Sequence, residues 1–339
     1  MIPSQPPIPD ESILQSLQGM GLLPNPATAT FEPLAGGVSS DIWKVSVEDQ
    51  TFCVKRALAK LKVQADWFAP IERNQFEVAW YQVANDICPG SAPRVLAHDE
   101  EAMLCVMEFL DPATHKLWKA ELRDGRADTE MASQAGTILG KVHSRTANDD
   151  LVKSRFTRPD IFYDIRLEPY LEATAAKHPD LERQLIGLSK QTAETELALI
   201  HGDVSPKNIL LGPKGPVFLD AECACIGDPA FDLAFCLNHF LLKCLWNQGA
   251  KEGFLACFRK MAADYLQCVD WENAKELEQR ASRLLPGLFL ARVDGKSPVE
   301  YVTENTQKNE VRSCARALLL DPPETLEDIV QAWENELNK

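Results

Sequence analysis

Asp203, Asn208, Asp220 and Glu222 define the chemistry open to this chain. They lie in one run, ALIHGDVSPKNILLGPKGPVFLDAEC, at residues 198–223. His201-Gly202-Asp203 opens the polar part, Asn208 follows the aspartate by five positions, and Asp220-Ala221-Glu222 closes it. Apolar stretches at 197–200, 209–211 and 217–219 flank these residues, with Gly212 and Gly215 between the last two. The alternation predicts a strand, a polar loop, a strand, a tight turn, a strand and an acidic pair. Phosphoryl transfer needs this inventory. One carboxylate would orient and deprotonate an attacking hydroxyl. An amide oxygen and a second carboxylate would hold Mg²⁺ against nucleotide phosphates. A base and a metal-binding asparagine five positions apart are one known solution to that problem.

Such a loop needs a partner that grips the phosphates, and upstream residues have the right types. A strand near 31–34 runs into Gly36-Gly37-Val38-Ser39, and a second strand follows. Backbone N–H groups at Gly36, Gly37 and Ser39 would close over phosphates, because glycine lets the backbone approach closely. The turn matches neither G-x-G-x-x-G nor G-x-x-x-x-G-K-[ST]. The run 51–55 predicts a third strand ending in Lys55, the place of a phosphate-pairing lysine. A helix is predicted over 71–84, with Phe76, Trp80, Val83 and Ala84 on an apolar face. Glu77 lies beside that face, placed to pair with Lys55. The apolar strand at 103–107 breaks at Glu108-Phe109-Leu110-Asp111-Pro112, the candidate hinge between two lobes.

These motifs together resemble the aminoglycoside phosphotransferase and choline kinase family of small-molecule kinases. The resemblance covers roughly residues 30 to 300. It implies an α+β, two-lobed, protein-kinase-like fold with a small antiparallel-sheet N-lobe and a larger, mostly helical C-lobe. It also implies ATP and Mg²⁺ as cofactors, Asp203 as base, Asn208 and Asp220 as metal ligands, and hinge contacts at Glu108 with the adenine edge. Within the family, the D-x-E pair at Asp220 and Glu222 is similar to the methylthioribose kinase branch. So is the segment at 54–77, with its Trp67 and its Arg73-x-x-x-Glu77. The chain departs from that branch at Asn208, where methylthioribose kinases carry serine. Glu222 is read evenly as a second metal ligand or a helix cap. Arg292, and with it Asp294, corresponds to that branch's substrate-facing arginine stretch. Both lie in a polar segment, 291–298, expected between helices. Asp232 would hydrogen-bond the catalytic loop's backbone.

Composition agrees with a globular enzyme acting on a small molecule. A chain of 339 residues suggests about two domains. The boundaries fall at an N-terminal extension with a short helix (1–29), a nucleotide-binding N-lobe (30–110) and a C-lobe carrying the catalytic loop and substrate site (111–339). Net charge is −15. That argues against nucleic acid and against anionic membranes, which need basic patches, and it is compatible with a cationic or neutral acceptor. No stretch approaches the ~18 apolar residues of a membrane span. The ten cysteines form no C-x-x-C and mostly lie in apolar runs, as reduced core thiols of a cytoplasmic protein do. A homodimer is allowed and not required.

Structural readings compete with chemical ones at several positions. His201 is expected to be a loop-bonded structural histidine, because Asp203 already occupies the base position. His143 reads as a core histidine and Asp228 as a helix cap before Pro229. Trp67 and Trp118 would pack rather than line the cleft. Two rival functions remain: a nucleotide-binding module that has lost catalysis, and a protein kinase, whose H-R-D, D-F-G and A-P-E signatures are absent. The nature of the acceptor, and ATP against GTP, stay open.

Overall fold

The computed structural model describes residues 7–34, 40–60 and 69–339. Apolar alternation in the first hundred residues builds one antiparallel sheet. Strands β1 (Ala29–Pro33), β2 (Ser40–Val47), β3 (Gln50–Ala57), β4 (Val95–Asp99) and β5 (Leu104–Glu108) take the order β1-β2-β3-β5-β4. The β2–β3 hairpin sets the register, with Ile42 opposite Lys55.

Period-two alternation gives the sheet two buried faces. Val45, Val47, Phe52, Val54, Leu104 and Val106 form a small core with Ile13 and Leu17 from helix α1 (Glu11–Gly19). Asp10 caps that helix, its Oδ1 accepting from Ile13 N at 3.1 Å, a contact worth about 1 kcal/mol. Burying Ile13 and Leu17 adds roughly 1.5–3 kcal/mol each. The opposite face carries Lys55, Cys105 and Met107 toward helix α2 (Arg73–Ile87). Phe76, Trp80, Val83 and Ala84 are all buried on α2, as the spacing predicts.

Beyond residue 115 the chain is mostly helical. The helix Pro229–Trp246 is buried from Pro229 through Leu245 and forms the axis of this part. Asp228 caps it through Ala230 N at 3.0 Å, with proline in the first turn. The helices Lys251–Leu266 and Ala274–Asp294 pack on it. Two small sheets hold the catalytic segment. In one, β7 (Ala198–Ile200) pairs with β10 (Cys225–Gly227). In the other, β6 (Lys116–Leu117), β8 (Ile209–Gly212) and β9 (Gly215–Phe218) pair in the order β6-β8-β9. Gly215 turns the β8–β9 hairpin at φ 120°, a conformation open only to glycine.

Two features depart from the sequence expectation. Arg292 and Asp294, expected in a polar segment between helices, sit instead in the last turn of the helix Ala274–Asp294, which runs through Pro286. Proline removes one hydrogen bond, but Leu284, Leu285, Leu288, Phe289 and Leu290 are buried on both sides of it, and packing overrides the break. The ten-residue π-helical segment Tyr163–Glu172, which contains Pro169, was not anticipated. Trp118 is fully buried, and Trp67 lies outside the described residues.

Candidate active site

The catalytic segment hangs from one buried carboxylate. Asp232, in the first turn of the helix Pro229–Trp246, accepts from His201 N at 2.6 Å and Gly202 N at 2.8 Å. His143 supports it from behind: Nε2 lies 3.2 Å from Asp232 Oδ2 and Nδ1 lies 2.8 Å from Tyr265 Oη. Gly202 adopts φ 76°, and a Cβ there would lie 2.7 Å from Cys223 Cβ, so the turn admits only glycine. His201 is structural. Its Nδ1 accepts from Asp203 N at 3.1 Å, its Nε2 meets Leu219 O at 3.0 Å, and burial lowers its pKa. Asp232→Ala would strand two buried N–H groups. It should lower stability by about 3 kcal/mol, read as a shifted urea midpoint at unchanged slope.

This anchoring delivers Asp203 in a polarised state. The carboxylate is 1% exposed. Its Oδ2 takes Arg166 Nη2 at 2.7 Å, Asn208 Nδ2 at 2.7 Å and Lys207 Nζ at 3.1 Å. Its Oδ1 has no partner among the described residues. Burial alone would raise this carboxyl's pKa, but the charges of Arg166 and Lys207 outweigh it and hold the group below the usual carboxylate range. Arg166, from the π-helical segment, also donates to Gly202 O at 2.8 Å. Sequence reasoning missed Arg166, because it lies 37 positions upstream of Asp203 in a stretch with no motif.

Asp220 and Asn208 meet at the open end of the β8–β9 hairpin, where Leu219 N donates to Asn208 O at 2.8 Å. Asp220 has φ 65°, a left-handed backbone that aspartate tolerates better than most residues. Tyr81 helps to hold it there: Asp220 N donates to Tyr81 Oη at 2.8 Å, and Tyr81 Oη donates to Glu77 Oε1 at 2.6 Å. Lys55 Nζ lies 2.7 Å from Glu77 Oε1, in the ion pair the sequence predicted, and also contacts Asp220 Oδ1. Burial opposes the lysine's charge, yet the three carboxylates of Asp220, Glu77 and Glu222 raise its pKa well above normal. Tyr81 is a further functional residue without a sequence signal beyond its helical face.

The other sequence candidates fare differently. Glu222 gives one oxygen to Arg73 Nε at 2.8 Å, in a pair whose side chains are 10% and 1% exposed. It therefore tethers the start of α2 to the acidic loop. Glu108 spends its N–H on Arg94 O at 2.9 Å and its carboxylate on Arg94 N at 2.8 Å, both within the sheet. Asp294 is not open to a substrate, because Arg312 and His178 hold it at 2.7–2.9 Å. Arg292 faces a small pocket beside Pro206 and Lys207 of the catalytic loop. Gly36, Gly37 and Ser39 lie outside the described residues.

The pattern of this segment is diagnostic beyond the chain itself. A family model described as the phosphotransferase enzyme family matches residues 30–277, well over half of the chain. The chain belongs to this phosphotransferase family. Relatives of the chain include the methylthioribose kinase of Pectobacterium atrosepticum, 25% identical over 264 residues, covering 69% of this chain and 65% of that protein. The methylthioribose kinase of Yersinia enterocolitica is 25% identical over 218 residues, covering 56% of this chain and 53% of that protein. The chain thus spans between half and two thirds of the length of these curated relatives. Among solved structures it is similar to choline kinase from Cryptosporidium parvum, with TM-score 0.54, 14% identity and coverage of 92% and 96%. It is also similar to an amicoumacin kinase in complex with AMP-PNP, Ca²⁺ and Ami, with TM-score 0.57, 13% identity and coverage of 95% and 97%. These likenesses show the fold of the chain, which is the two-lobed protein-kinase-like one, with an antiparallel N-lobe sheet and a helical C-lobe.

Proposed function

We propose that this phosphotransferase moves the γ-phosphoryl group of ATP to a hydroxyl of a small metabolite. The observation that carries the reading is Asp203, clamped through Oδ2 by Arg166, Lys207 and Asn208 while its buried Oδ1 is unpartnered. An acceptor hydroxyl would satisfy that oxygen. In the reaction the acceptor oxygen bonds to phosphorus, the bond from phosphorus to the β–γ bridging oxygen breaks, and the hydroxyl proton passes to Asp203 Oδ1. Because phosphoryl transfer runs through a loose transition state, a base held below the usual carboxylate range suffices: it positions the hydroxyl first and takes the proton late.

The residues present fit a hard cation and a polyphosphate. Asn208 commits Nδ2 to Asp203, which leaves its side-chain oxygen for a cation, and carboxylate plus amide oxygens are the donors Mg²⁺ prefers. When bound, Mg²⁺ neutralises charge on the phosphates. Asn208 and Asp220 would hold the metal, and Lys55, paired with Glu77, would face the α/β-phosphates. Gly36, Gly37 and Ser39 would cover the phosphates from the N-lobe, taken as 30–110. With Glu108 committed to Arg94, the adenine edge would meet the backbone at 109–112, where the C-lobe, 111–339, begins. Residues 1–29 are read as an N-terminal extension with a short helix, α1, which packs on the sheet. A cytoplasmic setting is supported by ten cysteines, none of them in a disulfide, and no described helix is long and apolar enough to cross a membrane.

ADP release stimulated by a small hydroxyl compound, in the presence of MgATP, tests the proposal. Nucleotide binding with no acceptor-stimulated release across a broad metabolite set would leave only a binding module. The phosphate clamp has its own test. Lys55→Ala and Glu77→Ala should each raise the KM for ATP, and the double variant should lose less than the two singles combined, because residues acting on one contact are not additive. Strictly additive losses would separate the two roles.

A further inference from the structure

The whole chain is strongly acidic, yet the pocket beside its catalytic loop is cationic. Lys119, Lys207, His239, Lys243 and Arg292 line it, drawn from the helix Trp118–Arg123, the loop, the helix Pro229–Trp246 and the helix Ala274–Asp294. Glu300 and Asp203 are the acidic groups beside them, and both are occupied: Glu300 pairs with Lys119 at 2.5 Å, and Asp203 with Lys207 and Arg166. Lys243 has no carboxylate within ion-pair distance among the described residues, although it is only 1% exposed. Its Nζ rests 3.9 Å and 3.8 Å from the ring centres of Trp246 and Tyr301. Among the described residues Arg292 hydrogen-bonds neutral groups, Tyr170 Oη at 2.9 Å and Ser297. Buried charges in folded proteins are otherwise paired.

A second, independent observation marks the same place. Arg292 Nε and His239 Nε2, on side chains more than nine-tenths buried, have no hydrogen-bond partner among the described residues, nor does Tyr301 Oη. Unsatisfied buried polar atoms are rare and call for an explanation. Three of them converging on a surplus of positive charge mark a site whose ligand supplies acceptor atoms and negative charge. The pocket is small, about 30 Å³, room for roughly two waters. That suits one anionic group and not a whole sugar ring.

We infer that the acceptor carries an anionic group, a carboxylate or phosphate ester, which docks between Lys243, Arg292 and His239 while its hydroxyl reaches Asp203. The inference rests on the kinase reading and gives it a substrate class, opposite in sign to what net charge suggests. The state of Lys243 agrees. Burial, then the neighbouring Lys119, pushes its pKa down to about 6, so a bound anion would restore the proton.

The test uses calorimetric titration of the full chain with glycerate, glycerol 1-phosphate and glycerol, and separately with MgATP. Saturable binding of either anion, no binding of glycerol, and buffer-dependent proton uptake on binding are expected. Lys243→Met should weaken anion binding at least about tenfold and reduce the proton uptake, the remainder belonging to His239, which burial and then Arg292 also hold well below its usual pKa. The variant should leave MgATP binding intact and not lower the melting temperature, since it replaces a buried amine that has no carboxylate partner among the described residues with an apolar side chain of similar length. Arg292→Gln should weaken the same anions. Glycerol binding as well as the anions, neither anion binding, or anion affinity unchanged in Lys243→Met would each overturn the inference. Failure of MgATP to bind the wild-type chain would instead sink the kinase reading, so the two failures are distinct.

Discussion

Asp203→Asn is expected to lower kcat by about 10²–10⁴ while leaving nucleotide affinity within a few-fold. Asparagine fills the same volume and can still accept through one oxygen from Arg166 and Lys207 where Oδ2 stands. What it loses is the unpartnered charged oxygen, Oδ1, that faces the acceptor. In the proposed reaction nucleotide binding would draw on Lys55 and Asp220, which the substitution does not touch. Steady-state turnover and a separate nucleotide titration measure the two effects. Turnover within a few-fold of wild type would remove Asp203 from the role of base. The wild-type pH profile adds a check of sign. Because neighbouring cations depress the carboxyl's pKa, its working ionised form persists as pH falls into the ordinary carboxylate range. An acid limb near neutral pH would therefore have to come from another group.

Asp220→Ala should cost more than the roughly 10–100-fold that loss of a residue standing behind a metal ligand usually costs, seen in the Mg²⁺ concentration needed for turnover. Asp220 sits at the hairpin end beside Asn208 and contacts Lys55, so its loss removes a metal oxygen and unbalances the buried lysine at once. Glu222→Gln is expected to act differently. It breaks the buried pair with Arg73 and should lower stability by about 3 kcal/mol, with a smaller change in the Mg²⁺ requirement. Titrating Mg²⁺ into each variant with ATP present, alongside denaturant melts, separates the cases. A larger Mg²⁺ defect in the Glu222 variant would reverse the assignment.

Much of the molecule was legible from local sequence, for identifiable reasons. The hairpin strands, helix α2 and the capped helix after Asp228 follow from periodicity and from capping chemistry, which act over a few residues. The order of Asp203, Asn208 and Asp220 was legible because they share one loop-hairpin unit, where spacing fixes distance. Lys55 and Glu77 were legible because strand end and helix face each constrain one side chain. The helix continuing through Pro286 was not, because burial on both sides of a proline is a tertiary matter.

The sequence by itself determined the residues on which the proposed reaction rests: the loop at 201–208, the acidic pair and the strand-end lysine are set by their types and spacings. Tertiary structure alone decided what surrounds them. Arg166 reaches Asp203 from a π-helical turn, Tyr81 bridges Glu77 to Asp220, and Arg73 claims Glu222 across 149 positions. The sign of the acceptor pocket belongs to the same class. Lys119, Lys207, His239, Lys243 and Arg292 are scattered among 35 Lys and Arg, 6 His and 50 Asp and Glu. A summed charge averages over the whole surface. The field that a substrate meets comes from the few groups that folding brings within several ångströms, where low dielectric strengthens them most.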